Sequence, residues 1–305
     1  MISVFPSFCA LYAAFGYALG TSVYTPVSQR YSWAAVSVLR AGFALPLFLG
    51  WALVLELAHP GSAGGFSDLT WKSIGWLAVA SVGSQGCADG LLLLASRRIG
   101  VPTSLTIAGL YPLWTALWLL FQGGALRWVQ GAGLAMVLTG VAALIYLSET
   151  QAHQPESKPG VSLLSFGGLV GIAIALLASI LFALAIFGIR YGGSGVNIGV
   201  ANTVRMSLAL VIAPSLAMLS GVKRERIVMP LKDMKSLAWI LSIETVGFAA
   251  YVYAMTKGSL VTVSALSSLS PVFAVLIALS LGREPFSLRK VFFVLLTCGG
   301  AIMLN

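Results

Sequence analysis

The sequence predicts an all-α integral membrane fold: ten transmembrane helices arranged as two inverted five-helix repeats. Three observations carry that expectation. First, 58% of the 305 residues are hydrophobic and 9% are charged, against about a quarter charged in an average soluble domain. No ordinary water-facing surface can be made from such a chain, so a bilayer must supply the solvent. Second, hydrocarbon about 30 Å thick takes roughly 20 apolar residues per helical crossing, and the chain divides into apolar runs of that size with short connectors. Third, the two halves carry matching residues in the same order.

Apolar runs, read against Gly, Pro and charge punctuation, place the first five spans near 4–24, 33–57, 71–95, 102–122 and 128–147. The first has no Lys or Arg before it and no small-residue cleavage site, so it reads as a retained span and not a signal peptide. The second holds Arg40 and Pro46, the third holds Gln85 and Asp89 and ends at Arg97-Arg98, the fourth holds Pro112, and the fifth holds Gly131 and Gly140. The polar stretch Ser148–Gly160 has no apolar periodicity and joins the halves. The remaining spans fall near 164–189, 198–219, 237–256, 260–281 and 289–304, with Arg205 in the seventh, Glu244 in the eighth and Pro271 in the ninth. Residues 1–150 then form one five-helix unit, 151–163 a linker and 164–305 a second unit.

The repeat rests on one order and nearly one offset. Leu110-Tyr111-Pro112 corresponds to Leu269-Ser270-Pro271 at 159 residues, as do Arg98 to Lys257, Gly123 to Gly282 and Gly140 to Gly299. The Arg40 context, Val38-Leu39-Arg40-Ala41, matches Thr203-Val204-Arg205-Met206 at 165. An odd number of crossings per half makes the second copy enter from the opposite side, the plan of many carriers whose halves meet at a central solute site.

An ionised side chain at mid-bilayer costs at least about 2.5–3.5 kcal/mol, so each needs a partner or a wet cavity. Arg40, Asp89 and Glu244 fall at one expected depth, roughly 10 Å below one face at the helical rise per residue, and are expected to cluster. Two neighbouring carboxylates do not both ionise easily, so one of them would store a proton, or pair with a cationic group of the solute. The competing structural reading is a static ion pair between Arg40 and Asp89. Gln85, one turn from Asp89, is the repeat equivalent of Glu244, which makes the same face polar in both halves. With Arg205, Phe248, Tyr251, Tyr12, Tyr17 and Ser267 these residues are the candidate solute contacts. For Arg205 two partners stay open, a solute carboxylate or Gln85 with backbone carbonyls. Pro112 and Pro271 are expected to bend their spans, and glycines such as Gly16, Gly20, Gly131 and Gly140 to admit close helix packing.

Phe15-Gly16, Arg40 and Arg205, the Leu-x-Pro motifs at Pro112 and Pro271, and Gly282-Arg283-Glu284 before a Gly-containing last span together resemble the EamA-like branch of the drug/metabolite transporter superfamily. The resemblance covers nearly the whole chain and departs at Gln122-Gly123-Gly124-Ala125, where the family pattern favours Gly-Glu. It implies a basket in which spans one to four and six to nine enclose the solute path and spans five and ten pack outside. It also implies export of small metabolites, amino acids among them.

The formal charge of +9 sits in loops, where it reports orientation and anionic headgroups rather than nucleic acid. More Lys and Arg lie on the side opposite the termini, which places both termini outside the cytoplasm, whereas members of the resembled family more often have them inside. Cys9, Cys87 and Cys298 fall inside apolar spans and suit core filling. His59 and His153 lie in loops, and no metalloprotease, nucleophile-elbow or phosphate-loop motif occurs, so an enzyme is not expected, nor a cofactor or metal. The expectation is a secondary active transporter, exporting a small amphipathic metabolite by alternating access from a bacterial-type inner membrane, as a monomer or weak homodimer. An uptake carrier of the same fold, a channel and a structural membrane subunit are the alternatives.

Overall fold

The computed structural model describes residues 4–59, 63–114, 117, 128–129, 131–137, 139–140, 143, 165–258, 263, 266–280 and 287–304. The linker 148–160, Gln122–Ala125, Gly282–Glu284 and Ser264 lie outside the described residues, as does much of the expected fourth and fifth spans.

Every long element is helical. The first half contributes α1 (Val4–Arg30), α2 (Trp33–Ala58), α3 (Trp71–Ser81), α4 (Ala88–Ile99) and α5 (Val101–Ala108). The second contributes α6 (Phe166–Gly193), α7 (Ile198–Leu219), the short α8 (Leu231–Ser236), α9 (Ala238–Lys257), α10 (Ser270–Ser280) and α11 (Leu288–Leu304). Among the described residues five helical stretches are long and apolar enough to cross a membrane: Trp33–Ala58, Trp71–Ile99, Phe166–Gly193, Ile198–Leu219 and Ala238–Lys257. Leu57, Trp71, Phe166 and Leu219 are almost fully exposed on the outer surface. Such side chains face solvent only where the solvent is lipid, and aromatic residues at helix ends suit its interface. This is a membrane protein.

Local chemistry sets the helix ends. Ser32, Thr70, Ser165 and Asn197 each accept a backbone N–H three residues on, at 2.9–3.2 Å, and so start α2, α3, α6 and α7. The helix α1 runs six residues past its expected end. In its polar stretch the hydroxyls of Thr21, Ser22, Thr25 and Ser28 are satisfied inside the helix, each donating to a carbonyl three or four residues back.

The expected third span is not one regular helix. Residues Val82–Gly86 form a π-helical turn between α3 and α4, with Ser84 off the helical region at φ −133°, ψ −109°. Pro112 and Pro271 do mark breaks. A turn at Gly109–Leu110 precedes the first and a turn at Ser268–Leu269 the second, 159 residues apart. Proline has no N–H for the carbonyl four residues back, here that of Ala108 or Ser267, and its ring crowds that carbonyl, so the helix opens there.

The helices pair across the halves. The pair α2 and α7 makes the largest contact, α1 lies along α9, and α6 lies along both α3 and α4. Under the sequence correspondence the last two contacts are counterparts. Close approach depends on small residues: a Cβ at Gly188 would stand 2.6 Å from Trp76 O and Ala80 N, and one at Gly192 would stand 2.8 Å from Leu77 N. The helix α11 presses Gly300 against Gly133 and Val137 of the 131–137 segment. Basic ends converge on one side, where Arg97 Nε donates to Ser28 at 2.9 Å, Arg226 donates to the Gln29 carbonyl at 3.2 Å, and Arg30 faces Asp233 at 3.7 Å.

Candidate functional site

The polar residues of the apolar interior converge where α1, α2, α3, α4, α7 and α9 meet. Arg40 on α2 is buried and forks between two acids. Its Nη1 lies 2.6 Å from Asp89 Oδ2 on α4, and its Nε lies 3.0 Å from Glu244 Oε2 on α9. The cluster expected from common depth therefore forms, and it joins an acid of each half through one guanidinium. Tyr17 on α1 donates its hydroxyl to Asp89 Oδ1 at 2.9 Å. The rings of Tyr24 and Phe248 lie 5.6 Å and 5.2 Å from the Arg40 guanidinium carbon, close enough for cation–π attraction. The dry surroundings make such charges interdependent: removing one partner of a buried pair costs about 3–5 kcal/mol, because the other is left uncompensated.

Arg205 on α7 is 1% exposed and has neutral partners. Nη1 donates to Asn202 Oδ1 at 3.0 Å, and Nη2 donates to Ser84 Oγ at 3.2 Å and Gln85 Oε1 at 3.0 Å. Ser84 in turn donates to Gln85 Oε1 at 2.6 Å. The π-helical turn presents both side chains to Arg205. Of the two partners open for Arg205, Gln85 is found, and the backbone carbonyls are replaced by Asn202 and Ser84.

A cavity of about 120 Å³ lies between these groups. Tyr17, Gln85, Asp89, Arg205, Glu244, Phe248, Tyr251 and Ser267 all line it, with Ser84, Tyr111 and Phe182 beside apolar residues of α1, α5 and α6. One expectation differs from this arrangement. Tyr12 is not on the wall, because its hydroxyl is tied to the Ile243 carbonyl at 3.2 Å on α9. Arg40, expected as an ion-pair partner and not as a solute contact, stands behind the two acids that line the cavity. Ala108 and Ser267, each four residues before its proline, are both on the wall. Among the described residues, none of α11 or of the 131–140 stretch is on the wall.

Four participants escape sequence reasoning. Ser84 and Asn202 are ordinary polar residues until Arg205 is placed beside them. Tyr24 reads as the apolar end of a span. Gly20 reads as a packing glycine, yet a Cβ there would run into the Glu244 carboxylate, so it makes the space that the acid occupies. A signal for the π-helical turn exists in hindsight in the pair Gly83 and Gly86 around Ser84-Gln85.

Chemically, the site offers hydrogen-bond donors, two carboxylates sharing one guanidinium, a second guanidinium with neutral partners, and aromatic walls. It is suited to holding a small polar or amphipathic molecule. Residues 169–305 match the model of the EamA-like transporter family, so the resemblance expected from Arg205 and Pro271 is shown over that stretch, consistent with the drug/metabolite transporter superfamily. A solved structure titled "Crystal structure of protein" aligns over 99% of this chain and 96% of its own, with a TM-score of 0.62 and 19% identity, a likeness of fold. No curated protein matches the chain.

Proposed function

We propose, with the family match over residues 169–305 as the premise, that this protein is a secondary active transporter that exports a small metabolite, such as an amino acid or another amphipathic compound, across a bacterial-type inner membrane. Its two five-helix units, 1–150 and 164–305, alternate access to the cavity between them. One observation carries this reading: the buried Arg40 holds Asp89 of the first half and Glu244 of the second, and both acids line the cavity. A contact that joins two moving halves through charge is sensitive to protonation and to bound solute. A proton on either carboxylate weakens its hold on Arg40, and the groups that face the acids are Arg40 on α2 with Tyr17 and Tyr24 on α1. Proton movement can thus be coupled to the change of access. Reciprocal packing of α1 on α9 and of α3 and α4 on α6, with matching turns before Pro112 and Pro271, supports an inverted repeat.

The test is counterflow of radiolabelled amino acids in proteoliposomes without ATP. Saturable exchange accelerated by solute on the far side is the expected result. Flux that never saturates would point to a channel, and no flux of any solute to a structural subunit. Reversing the imposed proton gradient separates export from uptake.

A further inference from the structure

The two buried arginines occupy corresponding positions but unequal settings. Arg40 Nε meets Glu244, whereas Arg205 meets Gln85, the residue 159 positions before Glu244. The pairing has the same plan in both halves, a second-span-type arginine on a third-span-type side chain of the opposite half. In one half that side chain is a carboxylate, and in the other it is the amide of the same length. The exchange keeps a hydrogen bond to Arg205 and removes its countercharge.

Among the described residues no carboxylate forms an ion pair with Arg205; Asp89, on the same cavity wall, acts on it only through space while bound to Arg40. The ion pairs there are those of Arg30 with Asp233 and of Arg40 with Asp89 and Glu244. Arg205 is braced by Asn202, Ser84 and Gln85 through its two terminal nitrogens, while its buried Nε has no hydrogen-bond partner. A guanidinium 1% exposed in an apolar interior, with a donor unused and no carboxylate in ion-pair contact, is a costly arrangement. It faces the cavity, as do Ser84 and Gln85. Whatever enters that cavity gains most by bringing the missing negative charge. A carboxylate is planar, accepts two N–H donors side by side and is small enough to share the space with an apolar tail.

We propose that Arg205 is the carboxylate-binding residue of the cavity, taking the acid group of the solute on its guanidinium while Gln85, Ser84 and Asn202 hold that group in place. Solutes are then selected for a carboxylate, and the corresponding amides are rejected. This rests on the reading of the cavity as a solute site of a transporter.

Four matched pairs test it on the full-length protein in detergent: L-leucine, L-serine, L-phenylalanine and acetate, each beside its primary amide, titrated against the melting temperature. At least one acid is expected to stabilise the protein at a concentration about tenfold or more below that of its amide. Arg205→Gln abolishes that preference. Should Arg205→Gln not fold, Arg205→Lys keeps the charge without the rigid fork, and it weakens the acid about tenfold while leaving the amide unchanged. Stabilisation by none of the acids, equal response to acid and amide, or a preference that survives in a folded variant overturns the assignment. Counterflow of the binding acid separates the two claims. Binding without counterflow removes the carrier and leaves the carboxylate site, whereas counterflow of acid and amide alike keeps the carrier and removes the site.

Discussion

At the scale of single residues, the interior is organised by which charges are compensated. Arg40 has two carboxylates at 2.6 Å and 3.0 Å, one more than its charge requires. Asp89→Asn and Glu244→Gln each keep shape and remove one negative charge, so Arg40 retains one partner and the fold is expected to survive. If these acids exchange a proton as the halves move, each substitution lowers proteoliposome exchange about tenfold or more, equivalent to about 1.4 kcal/mol, and flattens its dependence on pH. Intact exchange with an unaltered pH profile in both variants would reduce the cluster to a static tie. The depth of Arg40, Asp89 and Glu244 was legible from their distance to span ends, because helical rise is constant. The direction of Tyr12 was not, because neighbouring positions on a helix differ in azimuth, and only the packing of α1 on α9 decides which one faces the cavity.

At the scale of elements, apolar length and punctuation locate helices well, and interruptions less well. The seventh span was expected at 198–219 and α7 occupies Ile198–Leu219, with Asn197 as its cap. The turns before Pro112 and Pro271 follow from a local steric rule. The π-helical turn at Val82–Gly86 does not, since it depends on α6 lying close enough for the Gly83 backbone to approach Leu181 and Ala185. That contact surface also gives the prediction at this scale. Gly188→Ala puts a Cβ 2.6 Å from the backbone of α3, which flexible side-chain adjustment cannot relieve. The substitution should force α3 and α6 apart and destabilise by about 1–3 kcal/mol, read as a lowered melting temperature in detergent. Gly167→Ala, with open space around it on the same helix, is the control and should melt like the parent. Equal melting of the two variants would mean that α3 and α6 do not meet at Gly188.

At the scale of the whole molecule, charge is sorted by end. Arg97 reaches Ser28, Arg226 reaches Gln29, and Arg30 faces Asp233, so basic connectors of both halves gather at the end where α1 finishes. Arg190 instead donates to the Met255 carbonyl at the far end. By the positive-inside rule we propose that both termini lie outside the cytoplasm. Alkaline phosphatase fused to the C-terminus should be active in cells and a fused green fluorescent protein dark; the opposite pair of results would reverse the orientation. Sequence by itself determined that the chain lives in a bilayer, where its helices begin and which charges share a depth. Those properties follow from composition, from local capping and from constant helical rise. Only the tertiary structure decided which charges are compensated. Arg40 and Arg205 hold corresponding positions in the two halves, and what separates them is the side chain that the opposite half presents, a carboxylate to one and an amide to the other.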